Sequence, residues 1–272
     1  MFLYTLFNVF SITLWYNHYV GGFMLKIKNL NLYINEKQLI NNLNLEINDG
    51  EIHVLMGKNG IGKSSIAKSL MGNNDYKVTG NYIFNDEDIT NLNISERAKK
   101  GLYLINQSPM QIEGVTNAEM LRVALSEKNG TGINIFEFNK ELENICKELE
   151  LDKSFIHREI NVGCSGGERK KIELMHMWML KPSFIILDEI DSGLDVDAIK
   201  IVANSLKKYY EEYKPSILII THSAALINTF DEFKVHILDN GNIIQSGNKK
   251  LANEVLNKGF KDISGANIIS EN

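Results

Sequence analysis

The sequence predicts an α/β domain with a mostly parallel core sheet, an N-terminal antiparallel β region and an inserted helical lobe. Three observations carry that expectation. Gly57-Lys58-Asn59-Gly60-Ile61-Gly62-Lys63-Ser64 fits the phosphate-loop pattern G-x-x-x-x-G-K-[ST]; it follows the nearly all-apolar run Ile52–Met56 and precedes a helix-forming run from Ser64 to Met71. Apolar runs at Phe184–Leu187 and Ser216–Thr221 flank a helical pattern from about Asp195 to Tyr210, the alternation of parallel strands joined by a crossover. Leu25–Leu30 and Leu43–Ile47 alternate apolar and polar residues before the loop, the period of half-buried strands.

The first 23 residues differ from the rest. Phe2 to Phe23 contain no Lys, Arg, Asp or Glu. The stretch is long enough to test as a membrane span, which needs about 20 apolar residues. Asn8, Asn17 and His18 interrupt it, however, and it lacks the basic start of a secretory signal. An import leader is the first reading, an unused upstream start before Met24 the second and a permanent anchor the third. The leader places a soluble domain of residues 24–272 in a plastid or apicoplast-type organelle, and the unused start places it in the cytoplasm. No direct membrane insertion of the mature domain is expected.

Within that domain, Asp49-Gly50 turns the chain into Ile52–Met56, whose apolar content suits a strand buried on both faces. Leu102–Ile105 is a further strand, followed by Gln107. A helical lobe is expected over about residues 108–181. In it, Phe136 to Leu151 place Phe138, Leu142, Ile145 and Leu149 on one helical stripe. Near the end, Lys234–Asp239 and Asn242–Gln245 flank Asn240-Gly241, the favoured pair for a type I′ hairpin turn.

A chain of 272 residues that is 44% hydrophobic can bury one large core or two small ones. Its net charge of −5 argues against a nucleic-acid surface, which needs clustered Lys and Arg. The two cysteines, Cys146 and Cys164, lack C-x-x-C spacing and suit a reducing compartment.

The chemistry gathers around the loop. Successive backbone N–H groups of Gly57, Lys58, Asn59, Gly60, Ile61, Gly62, Lys63, Ser64 and Ser65 can wrap phosphate, with the helix N-terminus adding positive potential. Lys63 then reaches the β- and γ-phosphates of ATP, and the Ser64 hydroxyl meets Mg²⁺. Asp188, at the end of a buried apolar strand, is a second Mg²⁺ ligand. Glu189, one residue further, is the candidate general base toward water; the bland alternative is that Asp188-Glu189 merely begins a loop. His222 follows the next parallel strand and is a candidate γ-phosphate contact, although a lone His there is often an ordinary loop residue. Gln107 is a candidate for Mg²⁺ or the attacking water. Ser165-Gly166-Gly167-Glu168 opens another helix. It can simply cap that helix, yet two glycines cost about 1 kcal/mol each in helix propensity, which close approach by a phosphate explains better.

In that order, the loop, Gln107, Ser165–Glu168, Asp188-Glu189 and His222 resemble the motifs of an ABC-type ATPase domain. The resemblance implies ATP hydrolysis, an ATP-dependent head-to-tail dimer, and an ATP sandwiched between the phosphate loop of one copy and Ser165–Glu168 of the other. Asp195, in Asp191-Ser192-Gly193-Leu194-Asp195, matches the loop crossing that interface. The strings Ser165–Leu174 and Asp188–Ala198 further resemble the SufC family, as do Gly50–Gly57 and Ile112–Asn117. That implies SufB- and SufD-like scaffold subunits as partners in iron–sulfur cluster assembly. The competing expectation is the nucleotide-binding subunit of a membrane transporter. Cys164 stands where the family more often has an aromatic residue, and packing and a cluster-ligand role are both open to it.

Overall fold

The computed structural model describes residues 23–260. The leader reading of residues 1–23 lies outside them except for Phe23, where the first strand begins. Among the described residues, no helix is long and apolar enough to cross a membrane.

The strands in chain order are β1 (Phe23–Ile34), β2 (Lys37–Asn48), β3 (Ile52–Met56), β4 (Lys77–Phe84), β5 (Glu87–Asp88), β6 (Leu102–Ile105), β7 (Ile112–Thr116), β8 (Glu159–Ile160), β9 (Phe184–Asp188), β10 (Ser216–Ile220), β11 (Lys234–Asp239) and β12 (Asn242–Gly247). Among the described residues they form a six-stranded sheet in the order β12-β11-β3-β10-β9-β6, a four-stranded sheet in the order β2-β1-β4-β5, and the pair β7-β8. β3, β6, β9, β10 and β11 pair in parallel; β12 closes the edge antiparallel. The antiparallel region is wider than the alternating segments suggested, because β4 adds to β1 although only its C-terminal part is well buried.

Every residue of β3, β9 and β10 is buried. Successive side chains of a strand point to opposite faces, and the core divides accordingly. Ile52, Val54, Ile185, Leu187, Ile217 and Ile219 join the cluster containing the lobe and the helix Val196–Tyr213, while Leu55, Ile186, Leu218 and Ile220 join the one under the antiparallel sheet. Full burial of each such side chain contributes about 1.5–3 kcal/mol.

The residues assigned to the lobe contain helices Asn117–Asn129, Ile135–Glu148 and Gly166–Leu180. The expected stripe is seen: Phe138, Leu142 and Ile145 are buried in the second of these, and Leu149 caps it. These helices share a hydrophobic cluster with one sheet face. At the hairpin, Asn240 and Gly241 have φ of 48° and 78°, the two positive values a type I′ turn requires.

Candidate functional site

Parallel pairing brings the C-terminal ends of β3, β10, β9 and β6 to one edge of the sheet, where open α/β sheets hold their ligands. The phosphate loop leaves β3 there, Thr221-His222 leave β10, Asp188-Glu189 end β9, and Gln107 follows β6 by two residues. Residues up to 165 positions apart in the chain, Gly57 and His222, thus meet at one edge.

The loop's glycines have different causes. A Cβ on Gly57 would lie 2.6 Å from the Leu238 carbonyl oxygen, so only glycine lets the chain leave beside β11. Gly62 has φ 109° and caps the helix Lys63–Leu70 without a side chain; that helix has no side-chain cap and no acid in its first turn. Its first helical bond runs from Ile66 N–H to the Gly62 carbonyl, leaving the N–H groups of Lys63, Ser64 and Ser65 without helical acceptors. An uncapped N-terminus with no acid beside it fits an external anion. Lys58, Asn59 and Gly60 form the exposed rim, Ile61 and Ser65 are half-buried, and Lys63 is buried.

Lys63 Nζ donates to the carbonyls of Gly57 and Lys58 at 2.7 and 3.0 Å and lies 4.0 Å from Glu189 Oε1. Burial lowers its pKa, and the carboxylates of Glu189 and Asp188 pull it back. Ser64 Oγ donates to Asp188 Oδ1 at 2.8 Å. Asp188 is 1% exposed, and burial pushes its pKa up, with Glu189 adding to the rise. A hydroxyl and a costly buried carboxylate form an oxygen donor set that fits Mg²⁺, which takes one or two carboxylates and substrate phosphate rather than a complete protein cage. No group of three or more His, Cys, Asp and Glu gathers as a metal site among the described residues.

Glu189 has φ 46°, a left-handed conformation that costs a non-glycine residue about 1–2 kcal/mol. Its N–H bonds the Ile220 carbonyl at 2.8 Å, tying the turn to β10. So held, its carboxylate meets three candidates. Gln107 Nε2 donates to Oε2 at 2.8 Å, Lys63 lies beside Oε1, and His222 Nε2 is 3.7 Å from Oε1. His222 Nε2 is buried and has no hydrogen-bond partner among the described residues. Burial and then the Lys63 ammonium hold its pKa below the ordinary value, so the ring is neutral near pH 7. Gln107 is therefore placed against Glu189 rather than against the Ser64–Asp188 pair.

Ser165–Glu168 are elsewhere. Ser165 Oγ accepts from Glu168 N–H, and Glu168 Oε2 accepts from Ser165 N–H at 2.7 Å, a reciprocal cap. The capping alternative is thus real, but it does not explain the glycines. Neither Gly166 nor Gly167 has positive φ, and a Cβ there would meet only ordinary contacts at 3.8 and 3.5 Å, to Gly193 O and Ala198 Cβ. Among the described residues, no hydrogen bond or ion pair joins residues 165–168 to the phosphate loop or to Asp188-Glu189. Asp195, beside this segment, caps its own helix through Ala198 N–H at 2.7 Å.

Cys164 is 5% exposed, burial raises its thiol pKa, its Sγ donates to the Val162 carbonyl at 3.5 Å, and it belongs to the hydrophobic cluster of the lobe, the environment of a packed side chain. Sequence reasoning missed the link from Thr221 Oγ1 to Asp191 Oδ1 at 2.8 Å and the buried Lys170 and Glu173. The signal for the latter was two opposite charges three residues apart in the charged first turns of the helix, just before the mostly apolar stretch Leu174–Leu180.

Removing the Lys63 ammonium tests the loop directly. Lys63→Ala is expected to weaken ATP binding by about 1.5–3 kcal/mol, the worth of charge-assisted hydrogen bonds, or roughly 10- to 150-fold in Kd by titration calorimetry.

The sequence pattern of the ABC transporter family matches residues 40–192. A probable ATP-dependent transporter of Antithamnion sp. is 39% identical over 242 residues, covering 87% of this chain and 96% of that protein. The iron-sulfur cluster assembly protein SufC of Plasmodium falciparum is 39% identical over 230 residues, covering 83% of this chain and 66% of that one. The solved dimeric structure of a bacterial ABC transporter cassette superposes with a TM-score of 0.71 at 23% identity, covering 82% of this chain and 98% of that chain, a likeness of fold.

Proposed function

The chain belongs to the ABC transporter family and is an ATPase, and from that premise we propose that it drives a SufB- and SufD-like scaffold in iron–sulfur cluster assembly. The observation that carries the scaffold reading is the 39% identity to an iron–sulfur assembly protein, in a chain whose strings Ser165–Leu174 and Asp188–Ala198 carry the same resemblance.

In this reading, the N–H groups of the phosphate loop and Lys63 hold the ATP phosphates, and Ser64 and Asp188 hold Mg²⁺. That ion, when bound, supplies positive charge to phosphate oxygens as negative charge develops there. Gln107 orients Glu189, whose carboxylate takes the proton of the attacking water, and His222, its Nε2 left without a hydrogen-bond partner among the described residues, contacts the γ-phosphate. Gly166 and Gly167, unexplained by the chain's own packing, belong to a site completed by a second copy. Two copies arranged head to tail then place Ser165–Glu168 of each over the ATP of the other. An open apolar cavity of about 520 Å³ between helices Ile94–Lys99 and Asn117–Asn129, lined in part by Tyr103, Met120, Val123 and Leu180, offers a partner a docking place. If residues 1–23 act as an import leader, this happens in a plastid-type organelle; otherwise it happens in the cytoplasm.

The names of relatives such as the Antithamnion protein favour a second reading, the nucleotide-binding subunit of a membrane transporter. One experiment separates them. The native complex is recovered from soluble and detergent extracts, its subunits identified, and its ATP-dependent iron–sulfur reconstitution measured. Scaffold subunits and an ATP-dependent gain in cluster assembly are expected. An integral membrane permease without a scaffold or such a gain establishes the transporter reading instead.

A further inference from the structure

Gln107 is exposed, yet it is aimed at Glu189, and the loop carrying it needs an anchor. Two contacts supply one, both from the helix Gly166–Leu180. Tyr103 Oη, on β6, donates to the Glu173 carbonyl at 3.1 Å, and Lys170 Nζ donates to the carbonyl of Asn106, the residue before Gln107. Lys170 is 3% exposed and lies 3.5 Å from the carboxylate of Glu173, itself 9% exposed. Burying two opposite charges rarely stabilises a fold beyond what apolar residues of equal volume achieve. Two charges in a helix buried on every side, its other buried residues mostly apolar like Ile172, Leu174, Met175 and Met177, therefore call for another purpose.

We propose that Lys170, held in place by Glu173, is a positioning residue that pins the Asn106-Gln107 turn and so sets Gln107 against the catalytic carboxylate. Lys170 touches neither nucleotide-binding loop nor Glu189 through any hydrogen bond or ion pair among the described residues; it acts through the Asn106 backbone. The same ammonium also faces Asp188 and Asp191 electrostatically. The helix that pins the turn begins at Ser165-Gly166-Gly167, so a displacement of the helix is passed to Gln107 by a charged contact rather than by loose packing. The inference rests on the role given above to Gln107 and Glu189.

Its test is a double-mutant cycle on the full chain, with steady-state ATPase kinetics, ATP affinity and melting temperature measured for each variant. Lys170→Met preserves the length and the apolar stem. Glu173, whose pKa burial already raises to about 7, can take up a proton in that variant instead of standing as an unpaired buried charge. Lys170→Met should lower kcat about 10-fold with KM and ATP Kd unchanged, the signature of a misplaced catalytic group. Gln107→Ala should lower kcat at least as much, and the double variant should match Gln107→Ala within about twofold, because residues acting through one group are not additive. Losses that multiply, or a Lys170→Met enzyme with unaltered kcat, overturn the proposal. Normal turnover in Gln107→Ala alone overturns the role of Gln107, and a separate failure of the Lys170 link is then recognisable because it is seen with Gln107→Ala slow. If Lys170→Met does not fold, Glu173→Gln replaces it in the cycle; a smaller fall that is non-additive with Gln107→Ala supports the pinning, and an additive one overturns it.

Discussion

Replacing Glu189 with Gln is expected to reduce ATP turnover by about 10²–10⁴, the usual cost of losing a general base, while leaving ATP binding intact. The substitution keeps the side chain's shape and an oxygen for Gln107 Nε2, now 2.8 Å away. It also keeps a residue with the same tolerance for φ 46° as the one it replaces. What it removes is the capacity to accept a proton. It also removes a negative charge 4.0 Å from Lys63 and near Asp188, whose pKa Glu189 helps to raise. Phosphate binding therefore does not suffer electrostatically, and a bound but unhydrolysed nucleotide should accumulate. In the head-to-tail arrangement proposed here, that state is the closed dimer. Size-exclusion chromatography with ATP and Mg²⁺, beside a phosphate-release assay, checks both halves. Full turnover in a variant that stays monomeric would falsify the assignment of Glu189.

Acidification from pH 6.5 to 4 is the second large effect, and it acts on the fold. Three histidines are buried as neutral rings. His176 Nε2 bonds Asn117 Oδ1 at 2.6 Å; because both Asn117 amide hydrogens go to the carbonyls of Phe155 and Arg158, the oxygen accepts and the imidazole donates. His53 and His236 form a chain. The Glu51 carboxylate can only accept, so His53 Nε2 donates to it at 2.9 Å, leaving Nδ1 to accept from His236 Nε2 at 2.9 Å, and His236 Nδ1 to accept from Ser246 Oγ at 2.8 Å. Burial lowers the pKa of His176 and of His236 to about 4 each, and lowers that of His53.

The unfolded chain binds protons at these rings near pH 6.5, whereas the folded chain resists them until about pH 4, so stability is full above pH 6.5 and is lost as pH falls. His176 and His236 each withdraw about 3 kcal/mol by pH 4, against a total that is typically about 5–15 kcal/mol. Glu173 works the other way. Its pKa is raised to about 7, so the folded chain gains its proton first and about 3 kcal/mol returns as pH falls from 7 to 4.5. Glu51, lowered to about 2, adds a further loss below its ordinary range. The net is a fall, steepest below about pH 4.5, where Glu173 no longer offsets it. Urea unfolding at a series of pH values should show the midpoint dropping with little change in slope; a midpoint that is flat or rising from pH 6.5 to 4 overturns the buried-neutral assignment.

How much of this was readable beforehand differs by element. β3, the phosphate loop, β9 and β10 were legible because an apolar run buried on both faces is dictated by composition, and a loop that must wrap phosphate is dictated by its glycines. The hairpin at Asn240-Gly241 was legible for the same local reason. β4 was not, because Lys77–Thr79 carry little apolar signal and the strand gains its place only by pairing with β1. Helix Asn117–Asn129 was missed as well; its buried face is narrow, only Asn117, Ala118 and Leu121 being buried, and its local signals were confined to its ends, the Thr116–Glu119 capping box and the left-handed Gly130 cap.

What the sequence by itself determined is which residue types stand where: a loop that fits the phosphate-loop pattern, the Ser64 hydroxyl, Asp188-Glu189 at a strand end, Gln107, His222 and a second glycine-rich helix start. Residue type and spacing limit those roles to a few, since a strand, turn and helix are short-range consequences of φ, ψ preference and apolar period. Only the tertiary structure decided which parts meet. Strand order put His222 and Gln107 on either side of Glu189, a left-handed backbone at Glu189 turned its carboxylate toward them, and the cap at Ser165 left Gly166 and Gly167 with only ordinary contacts among the described residues. Those outcomes depend on which strands pair across a hundred residues and on the cost of burying Lys63, Lys170, Glu173 and Asp188, and both are sums over contacts that no local stretch of sequence contains.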